Sequence, residues 1–193
     1  ELADEEMNRV ASKGTETVLS EISENCKIIF PSTHVVFEGK NSLAKDIKED
    51  YETFPTLPYA VGKTKNEEQI KKSGKNYIIL RLGSVYGYST DTTRLNIMPN
   101  LFSKITSQNG TIKLFAGGKQ LKCLVPLFDV VRCFKFMEEK DDIKFETFHL
   151  SKDSVTVKQV AEICKKINPK VKIEKTSDKI PNLGYSLSNE KLL

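Results

Sequence analysis

Two short apolar runs on either side of a helical pattern constrain the fold of this 193-residue chain most strongly. Residues 26–30 and 77–82 each have the length and apolar content of a buried parallel strand. Between them, residues 59 to about 73 show helical spacing. Parallel strands need a long connection, which is usually a helix. The pattern therefore predicts a right-handed βαβ unit in an α/β fold with a parallel sheet.

Hydroxyl-bearing residues follow both predicted strands. The first run leads into Pro31, Ser32 and Thr33, and the second opens into a turn-rich segment, residues 83–87, with a serine and two glycines. In open α/β sheets, ligands bind at the carboxyl ends of the strands. The sequence therefore predicts a site to which Thr33 contributes a hydroxyl group.

A tyrosine and a lysine lie four positions apart at the start of the predicted helix. Tyr59 and Lys63 therefore share one helix face. A free tyrosine has a pKa near about 10, so it is protonated at neutral pH. A fixed ammonium one turn away, helped by a cationic ligand, lowers that pKa. The pair is typical of an acid/base site, although the same spacing also occurs on ordinary solvated helix faces.

Three motifs in this order and spacing resemble the extended short-chain dehydrogenase/reductase superfamily, specifically its NAD-dependent nucleotide-sugar epimerase/dehydratase branch. They are Ser32-Thr33, Tyr59-x-x-x-Lys63 and residues 80–87, with the sequence LRLGSVYG. The resemblance runs from about Glu5 to the end of the chain.

This resemblance implies a fold and a division into domains. It predicts the C-terminal part of a Rossmann-type doubly wound parallel sheet with a smaller α/β substrate-binding lobe. Residues 1–93 would form the second half of the dinucleotide-binding domain. Residues 94–193 would form mainly the lobe, with some segments returning to the sheet.

The resemblance also implies catalytic and cofactor-binding residues. Tyr59 would be the base, Lys63 would lower its pKa and contact the nicotinamide ribose, and Thr33 would bond to the reacting oxygen. The cofactor would be NAD or NADP. The implied cofactor-binding residues are Ser32, Tyr59, Lys63, Leu82, Gly83 and Val85.

The substrate implied by the resemblance is a nucleotide-sugar. In relatives, the corresponding positions meet phosphate groups, the ribose or the nucleobase. The implied substrate-binding residues are Ser84, Asn96, Leu114, Phe115, Lys122, Lys175 and Asp178. Lys122-Cys123 replaces an arginine-aspartate pair of the relatives, so the positive charge is kept without the bidentate guanidinium.

Other differences from the family's motifs restrict the kind of reaction to expect. The family's dehydratases have an acidic pair after the threonine, where this chain has His34-Val35, so dehydration is not expected. Ala11 stands where relatives have an asparagine that supports the active site. His34 can titrate near neutrality, yet a lone histidine at a strand end is more often a hydrogen-bonded structural residue.

Three functions remain open at this stage. The first is an NAD(P)-dependent nucleotide-sugar epimerase, which the segment from Asn96 to Asp129 favours. The second is a nucleotide-deoxysugar ketoreductase, because residues 32–39 (STHVVFEG) resemble those enzymes. The third is a non-catalytic nucleotide-binding or regulatory member of the superfamily, with which Ala11 and Cys123 are compatible. The resemblance further implies a homodimer formed through the helices at residues 5–23 and 59–73.

A glycine-rich phosphate-binding turn is missing from the sequence. None of the ten glycines forms a G-x-G-x-x-G pattern after a strand. The chain also starts directly in a helical pattern over residues 2–22, with no preceding strand. We therefore expect it to be the later part of a longer protein.

Composition excludes several classes of partner. With 38% hydrophobic and 29% charged residues, the chain fits a globular protein in the cytoplasm. Its net charge of +4 comes from lysines mixed with glutamates, which argues against nucleic-acid binding. The four cysteines have no C-x-x-C pairing and are expected to be reduced thiols. No metal site and no membrane span are expected.

Overall fold

The computed structural model of the chain describes residues 4–40, 42–91, 93–178 and 183–193. Its helices are α1 (Asp4–Glu21), α2 (Pro58–Lys72), α3 (Met98–Ser107), α4 (Leu127–Glu139) and α5 (Val157–Ile167). Its strands are β1 (Ile28–Thr33), β2 (Ala44–Ile47), β3 (Tyr77–Leu82), β4 (Ser84–Tyr86), β5 (Thr111–Leu114), β6 (Leu121–Pro126), β7 (Glu146–Leu150), β8 (Asp153–Thr156), β9 (Lys172–Lys175) and β10 (Tyr185–Leu187). Two short 3₁₀ helices are His34–Phe37 and Phe115–Gly118.

A three-stranded parallel sheet lies at the centre of the fold. The strand order is β1-β3-β7, and Thr33, Leu82 and Leu150 are paired in register at the carboxyl ends. The middle strand β3 is the most buried because it is covered on both faces, as expected for a parallel sheet. Helix α2 connects β1 to β3, which confirms the predicted βαβ unit.

Helix α2 is fixed at its start by a proline and along its length by helix α1. Pro58 occupies the first turn, where its missing N–H needs no partner. The amide of Asn66 donates to the Ala11 carbonyl and to the Thr15 hydroxyl, both at 2.8 Å. A Cβ at Gly62 would lie 3.4 Å from that of Ala11, so small residues allow the two helices to approach closely. Helices α1 and α2 therefore pack closely against each other.

Three smaller sheets surround the central one. They are β4-β6-β8, the parallel pair β5-β9 and the parallel pair β2-β10. Helices α3 and α5 cover β5 and β9 and enclose an apolar core that includes Phe102, Ile112, Leu114 and Val171. This part of the chain thus forms a layer of two helices on a two-stranded parallel sheet.

Several local predictions differ from the structure. The turn-rich segment after β3 contains strand β4, because it pairs with β6. Helix α5 begins at Val157, since Thr156 caps it through a reciprocal pair of bonds with Gln159. Asp129 lies in the first turn of α4 and does not cap it. Strands β2, β8 and β10 had no clear signal in the sequence.

The four cysteines are free thiols in different environments. Cys123 and Cys164 are buried, Cys133 is half-buried and Cys26 is exposed. Burial raises the pKa of the Cys123 and Cys133 thiols to about 11. Cys123 and Cys164 thus lie in the core and Cys26 lies outside it, and the reduced state of the thiols stays a prediction. Within the described ranges, no helix combines the length and apolar character needed to cross a membrane.

Gly184 is the position where the backbone most requires glycine. Its φ is +83°, and a Cβ there would lie 2.0 Å from the Leu121 carbonyl oxygen. We expect Gly184→Ala to lower the free energy of unfolding by about 2 kcal/mol or more, because alanine is strained at this positive φ and its Cβ would clash with the Leu121 carbonyl. Urea denaturation would measure this.

Gly14→Ala is the matched control for Gly184→Ala. Gly14 lies in α1 with open space around its Cβ position, so alanine should stabilise the helix by about 0.5–1 kcal/mol. Equal effects of the two substitutions would contradict the role given to the Gly184 backbone.

Candidate functional site

A cavity of about 530 Å³ opens at the carboxyl ends of β1 and β3. It is bordered by the first turn of α2, by β4 and by the segment that leads into α3. Predicted site residues that line it are Ser32, Thr33, Tyr59, Leu82, Gly83, Ser84 and Val85. The parallel register explains this grouping, because strands that run in one direction end at the same edge.

Tyr59 lies in the first turn of α2, with 45% of its surface exposed. Burial raises the pKa of its phenol above the ordinary value of 10, while a hydrogen bond with Thr33 and the positive charge of Arg94 oppose this rise. The net direction is upward, so Tyr59 is protonated at neutral pH in the chain alone. The prediction that Lys63, helped by a cationic ligand, lowers this pKa stays a prediction.

Lys63 lies one turn further along α2, on the same face as Tyr59. Its ammonium donates to the Pro31 carbonyl at 2.7 Å and lies 4.6 Å from the centre of the Phe30 ring. Burial lowers the pKa of Lys63, and the Glu67 carboxylate raises it in part. An ammonium has three N–H donors, so Lys63 can bind a ligand as well as Pro31.

Thr33 ends β1 and is buried. Its hydroxyl oxygen accepts the backbone N–H of Val35 at 3.2 Å, which caps the 3₁₀ helix that follows. The hydrogen bond with Tyr59 lowers the pKa of that phenol. A bond of this kind stabilises the phenolate, as a hydroxyl that donates its proton to Tyr59 would do.

A buried ion pair lies directly beneath these residues. The Arg81 guanidinium on β3 donates to both carboxylate oxygens of Glu67 on α2, with the shortest contact at 2.8 Å. The Ser32 hydroxyl donates to the same carboxylate at 2.5 Å, and Arg81 also donates to the Glu49 carbonyl at 3.0 Å. Ser32, predicted to bind cofactor, therefore lines the cavity while its hydroxyl bonds to Glu67. The cluster ties α2 to β1 and β3.

A second cavity, of about 490 Å³, lies between α1, α2 and β1. Its lining is largely apolar and includes Ala11 and Phe30, while Tyr59 and Lys63 lie at its border. The Tyr59 hydroxyl and the remaining N–H donors of the Lys63 ammonium are groups that can hydrogen-bond to the hydroxyls of a ribose. The sequence contains no glycine-rich turn that would fit its pyrophosphate.

The predicted substrate residues do not all meet at the candidate site. Asn96 is exposed outside the cavity lining and accepts a bond from the Arg94 guanidinium at 2.8 Å. Lys175 and Asp178 are exposed, and neither lines the cavities that border Tyr59. Lys122 lines a separate cavity of about 140 Å³, which shares His34, Val35 and Ser84 with the larger one.

The resemblance predicts that the segment Leu114-Phe115 flanks the nucleobase, but the Leu114 side chain has no exposed surface for such a contact. Leu114 is fully buried in the core between α3 and α5 because it points inward from β5. Phe115 follows at the start of the 3₁₀ helix, with 55% of its surface exposed. Of the two residues, only Phe115 offers an apolar surface to a ligand.

Two residues that the sequence did not reveal also line the cavity. Arg94 brings a positive charge, and Asn100 fixes the loop beside it by accepting the Gly87 N–H at 3.1 Å and donating to the Arg94 carbonyl at 3.0 Å. Both come from the segment before and within α3. The only signal for them was their nearness in sequence to Asn96.

Metal ligands are not grouped in the parts of the chain that the structure describes. Across those ranges, no cluster of three or more His, Cys, Asp or Glu residues is placed to hold a metal ion. His149 is buried on β7, where its ring contacts the Ile47 carbonyl at 3.1 Å.

The sequence matches the RmlD substrate binding domain family over residues 1–180. The chain belongs to this family. No curated protein sequence matches it significantly. Membership in the RmlD family and the fold comparisons together confirm the resemblance to extended short-chain dehydrogenase/reductases.

Solved structures with the fold of this RmlD family member include UDP-sugar 4-epimerases. The Thermotoga maritima UDP-glucose 4-epimerase, solved with UDP-glucose, has 22% identity and a TM-score of 0.82, over 95% of this chain and 62% of that chain. The Bacillus cereus UDP-glucuronic acid 4-epimerase, in complex with UDP-glucuronic acid and NAD, has 20% identity and a TM-score of 0.79, over 94% of this chain and 59% of that chain. The Thermus thermophilus UDP-glucose 4-epimerase, in complex with NAD, has 19% identity and a TM-score of 0.77, over 95% of this chain and 63% of that chain. The chain thus spans about three fifths of the structures it matches.

Glu67→Gln tests the buried ion pair of this RmlD family member. The amide nitrogen of glutamine would face the Arg81 guanidinium and leave its charge uncompensated. We expect a loss of about 3 kcal/mol in the free energy of unfolding, measured by urea denaturation.

The neighbouring Glu68→Gln is the control for this substitution. Glu68 forms an exposed ion pair with Lys72 at 3.7 Å. Loss of this pair should lower the free energy of unfolding by less than about 0.5 kcal/mol. A similar small loss in both variants would show that the buried pair does not hold α2 to the sheet.

Proposed function

We propose that the chain is part of an NAD(P)-dependent nucleotide-sugar epimerase that oxidises and re-reduces a sugar hydroxyl with Tyr59 as the base. One observation carries the proposal. Thr33, Tyr59 and Lys63 meet where the apolar cavity beside α1 adjoins the more polar cavity at the strand ends. Such a border would let one ligand approach from each side of the phenol.

The chain's own residues would handle the proton. Tyr59 would accept the proton of the sugar hydroxyl, and Thr33 would hold the reacting oxygen by a hydrogen bond. Lys63 would hold the nicotinamide ribose. When bound, the cofactor supplies the hydride acceptor and a positive charge. Because burial raises the pKa of Tyr59 in the chain alone, a positive charge near the phenol would favour its deprotonation.

A ketoreductase is the second candidate. It is favoured by the match to the RmlD family and by residues 32–39, which resemble deoxysugar ketoreductases. Tyr59 would then donate its proton to the oxygen of the keto group, with Thr33 and Lys63 in the same roles, and the reaction would end after one hydride transfer. The homodimer expected from the resemblance remains a prediction, in keeping with the exposed Val10 and Val18 on α1.

Turnover with a panel of nucleotide-sugars separates these functions. The complete gene product would be given NAD or NADP, oxidised or reduced, with UDP-, GDP-, CDP- and dTDP-sugars. Epimer formation without net change in the absorbance of the reduced cofactor supports the epimerase. Stoichiometric oxidation of the reduced cofactor supports the reductase. Binding without turnover on every substrate would overturn both.

Tyr59→Phe tests the base directly. Phenylalanine keeps the ring but removes the ionisable group, so kcat should fall at least about 100-fold while substrate affinity stays nearly unchanged. Steady-state kinetics and equilibrium binding would measure the two effects. Tyr88→Phe is the control, because Tyr88 is 82% exposed and does not line the cavity. A Tyr59→Phe enzyme with full turnover would refute the assignment.

Arg94→Gln tests the charge that acts on Tyr59. The Arg94 guanidinium lowers the pKa of Tyr59, so its removal should raise that pKa and move the acid limb of the kcat profile to higher pH. The effect should weaken with added salt, since Arg94 is exposed.

Arg132→Gln is the matched control for the pH profile. Arg132 is exposed on α4, lies 3.7 Å from Asp129 and does not line the cavity. An unshifted profile in Arg94→Gln, or the same shift in both variants, would exclude Arg94 from control of Tyr59.

A further inference from the structure

His34 connects the candidate site to strand β10. It follows Thr33 directly, and its ring lies between two hydroxyl groups. Nδ1 is 2.8 Å from the Tyr185 hydroxyl oxygen, and Nε2 is 3.1 Å from the Ser84 hydroxyl oxygen. The Tyr185 hydroxyl also donates to the His34 carbonyl at 2.8 Å.

These three contacts fix the direction of every hydrogen bond in the group. A carbonyl oxygen only accepts, so the single proton of the Tyr185 hydroxyl goes to the His34 carbonyl. Tyr185 must then accept from Nδ1, which places the imidazole proton on Nδ1. In a neutral ring the other nitrogen, Nε2, carries a lone pair. Nε2 therefore accepts, and the Ser84 hydroxyl donates its proton to it.

The ring is neutral at physiological pH. Burial, with smaller effects of Lys122 and His149, lowers the pKa of His34 to about 4. Protonation of Nε2, which would reverse the bond to Ser84, is thus confined to acidic solution. The direction of the bond therefore stays the same at neutral pH.

Ser84 lines the larger cavity as well as the small one behind it. Because its proton is committed to His34, its oxygen offers only lone pairs to a ligand in the larger cavity. Thr33, on the same edge, differs from Ser84, since its oxygen accepts the Val35 N–H and its hydrogen bond with Tyr59 lowers the pKa of that phenol. At this edge of the cavity, the Ser84 hydroxyl is therefore a hydrogen-bond acceptor for a ligand.

We infer that His34 and Tyr185 are positioning residues that hold Ser84 as a hydrogen-bond acceptor, so that the site selects a ligand with a hydroxyl donor facing Ser84. This inference deepens the proposed function and rests on it, because the ligand class is a sugar nucleotide. It gives His34 a role beyond the structural one expected from its place at a strand end.

The tautomer of His34 tests the inference without any ligand. Nitrogen-15 NMR at neutral pH, with the signal assigned by its loss in His34→Gln, should show a protonated Nδ1 and an unprotonated Nε2. Tyr185→Phe removes the acceptor of the Nδ1 proton and should move the tautomer population toward Nε2–H. Tyr51→Phe is the control, because Tyr51 also packs on Phe37 but does not contact His34. A protonated Nε2 in the unsubstituted protein would overturn the inference.

The selectivity of Ser84 is tested by binding, which needs no turnover. The probes are UDP-glucose and its 2-, 3-, 4- and 6-deoxyfluoro analogues, since fluorine replaces the hydroxyl but cannot donate. One analogue should bind about tenfold more weakly than UDP-glucose. That difference should disappear in Ser84→Ala and shrink in Tyr185→Phe, while the other analogues keep their relative affinities.

The outcomes of these binding experiments distinguish the inference about Ser84 from the proposed function. Equal affinity for all analogues, or a penalty that survives in Ser84→Ala, would overturn the inference and leave the proposed function intact. Failure of every nucleotide-sugar to bind would contradict the proposed function and, with it, the ligand selectivity inferred for Ser84. If Tyr185→Phe fails to fold, the inference is still tested by two measurements. These are the His34 tautomer in the unsubstituted protein and the ligand affinities of Ser84→Ala.

Discussion

The pair formed by Glu67 and Arg81 is the interaction on which the candidate site depends. Both residues are almost fully buried, so each charge would be costly without the other. The carboxylate also accepts the Ser32 hydroxyl, which brings β1 into the same cluster. Because Ser32 precedes Thr33 and Glu67 lies on the helix of Tyr59 and Lys63, this one cluster sets how the strand end faces the helix start.

Burial also shifts the pKa values of Tyr59 and Lys63. The pKa of Tyr59 is raised and that of Lys63 is lowered, each mainly by loss of water around the charged form. For Tyr59 to act as a base here, positive charge must come from groups other than Lys63. The Arg94 guanidinium supplies part of that charge. The phenol is therefore poorly suited to act as a base in the chain alone, and a cationic ligand would change that balance.

The hydroxyl groups around the cavity are oriented by contacts that lie outside it. Thr33 is oriented by the Val35 N–H, and Ser84 by a chain of bonds through His34 to Tyr185. Tyr185 is 151 residues beyond His34, and β10, on which it lies, pairs with β2. The fold thus uses its last strand to set the polarity of a site built largely from the first half of the chain.

The sequence by itself determined the βαβ unit, the position of α2 and the grouping of Thr33 with Tyr59 and Lys63. These features follow from local spacing and from the rule that parallel strands end at one edge. Tertiary structure decided the rest. Leu114 points into the core and Lys122 into a separate cavity, because strand side chains alternate and one position decides the face. Strands β2 and β10, Arg94 and the His34 contacts depend on pairing between distant segments, which no local pattern encodes.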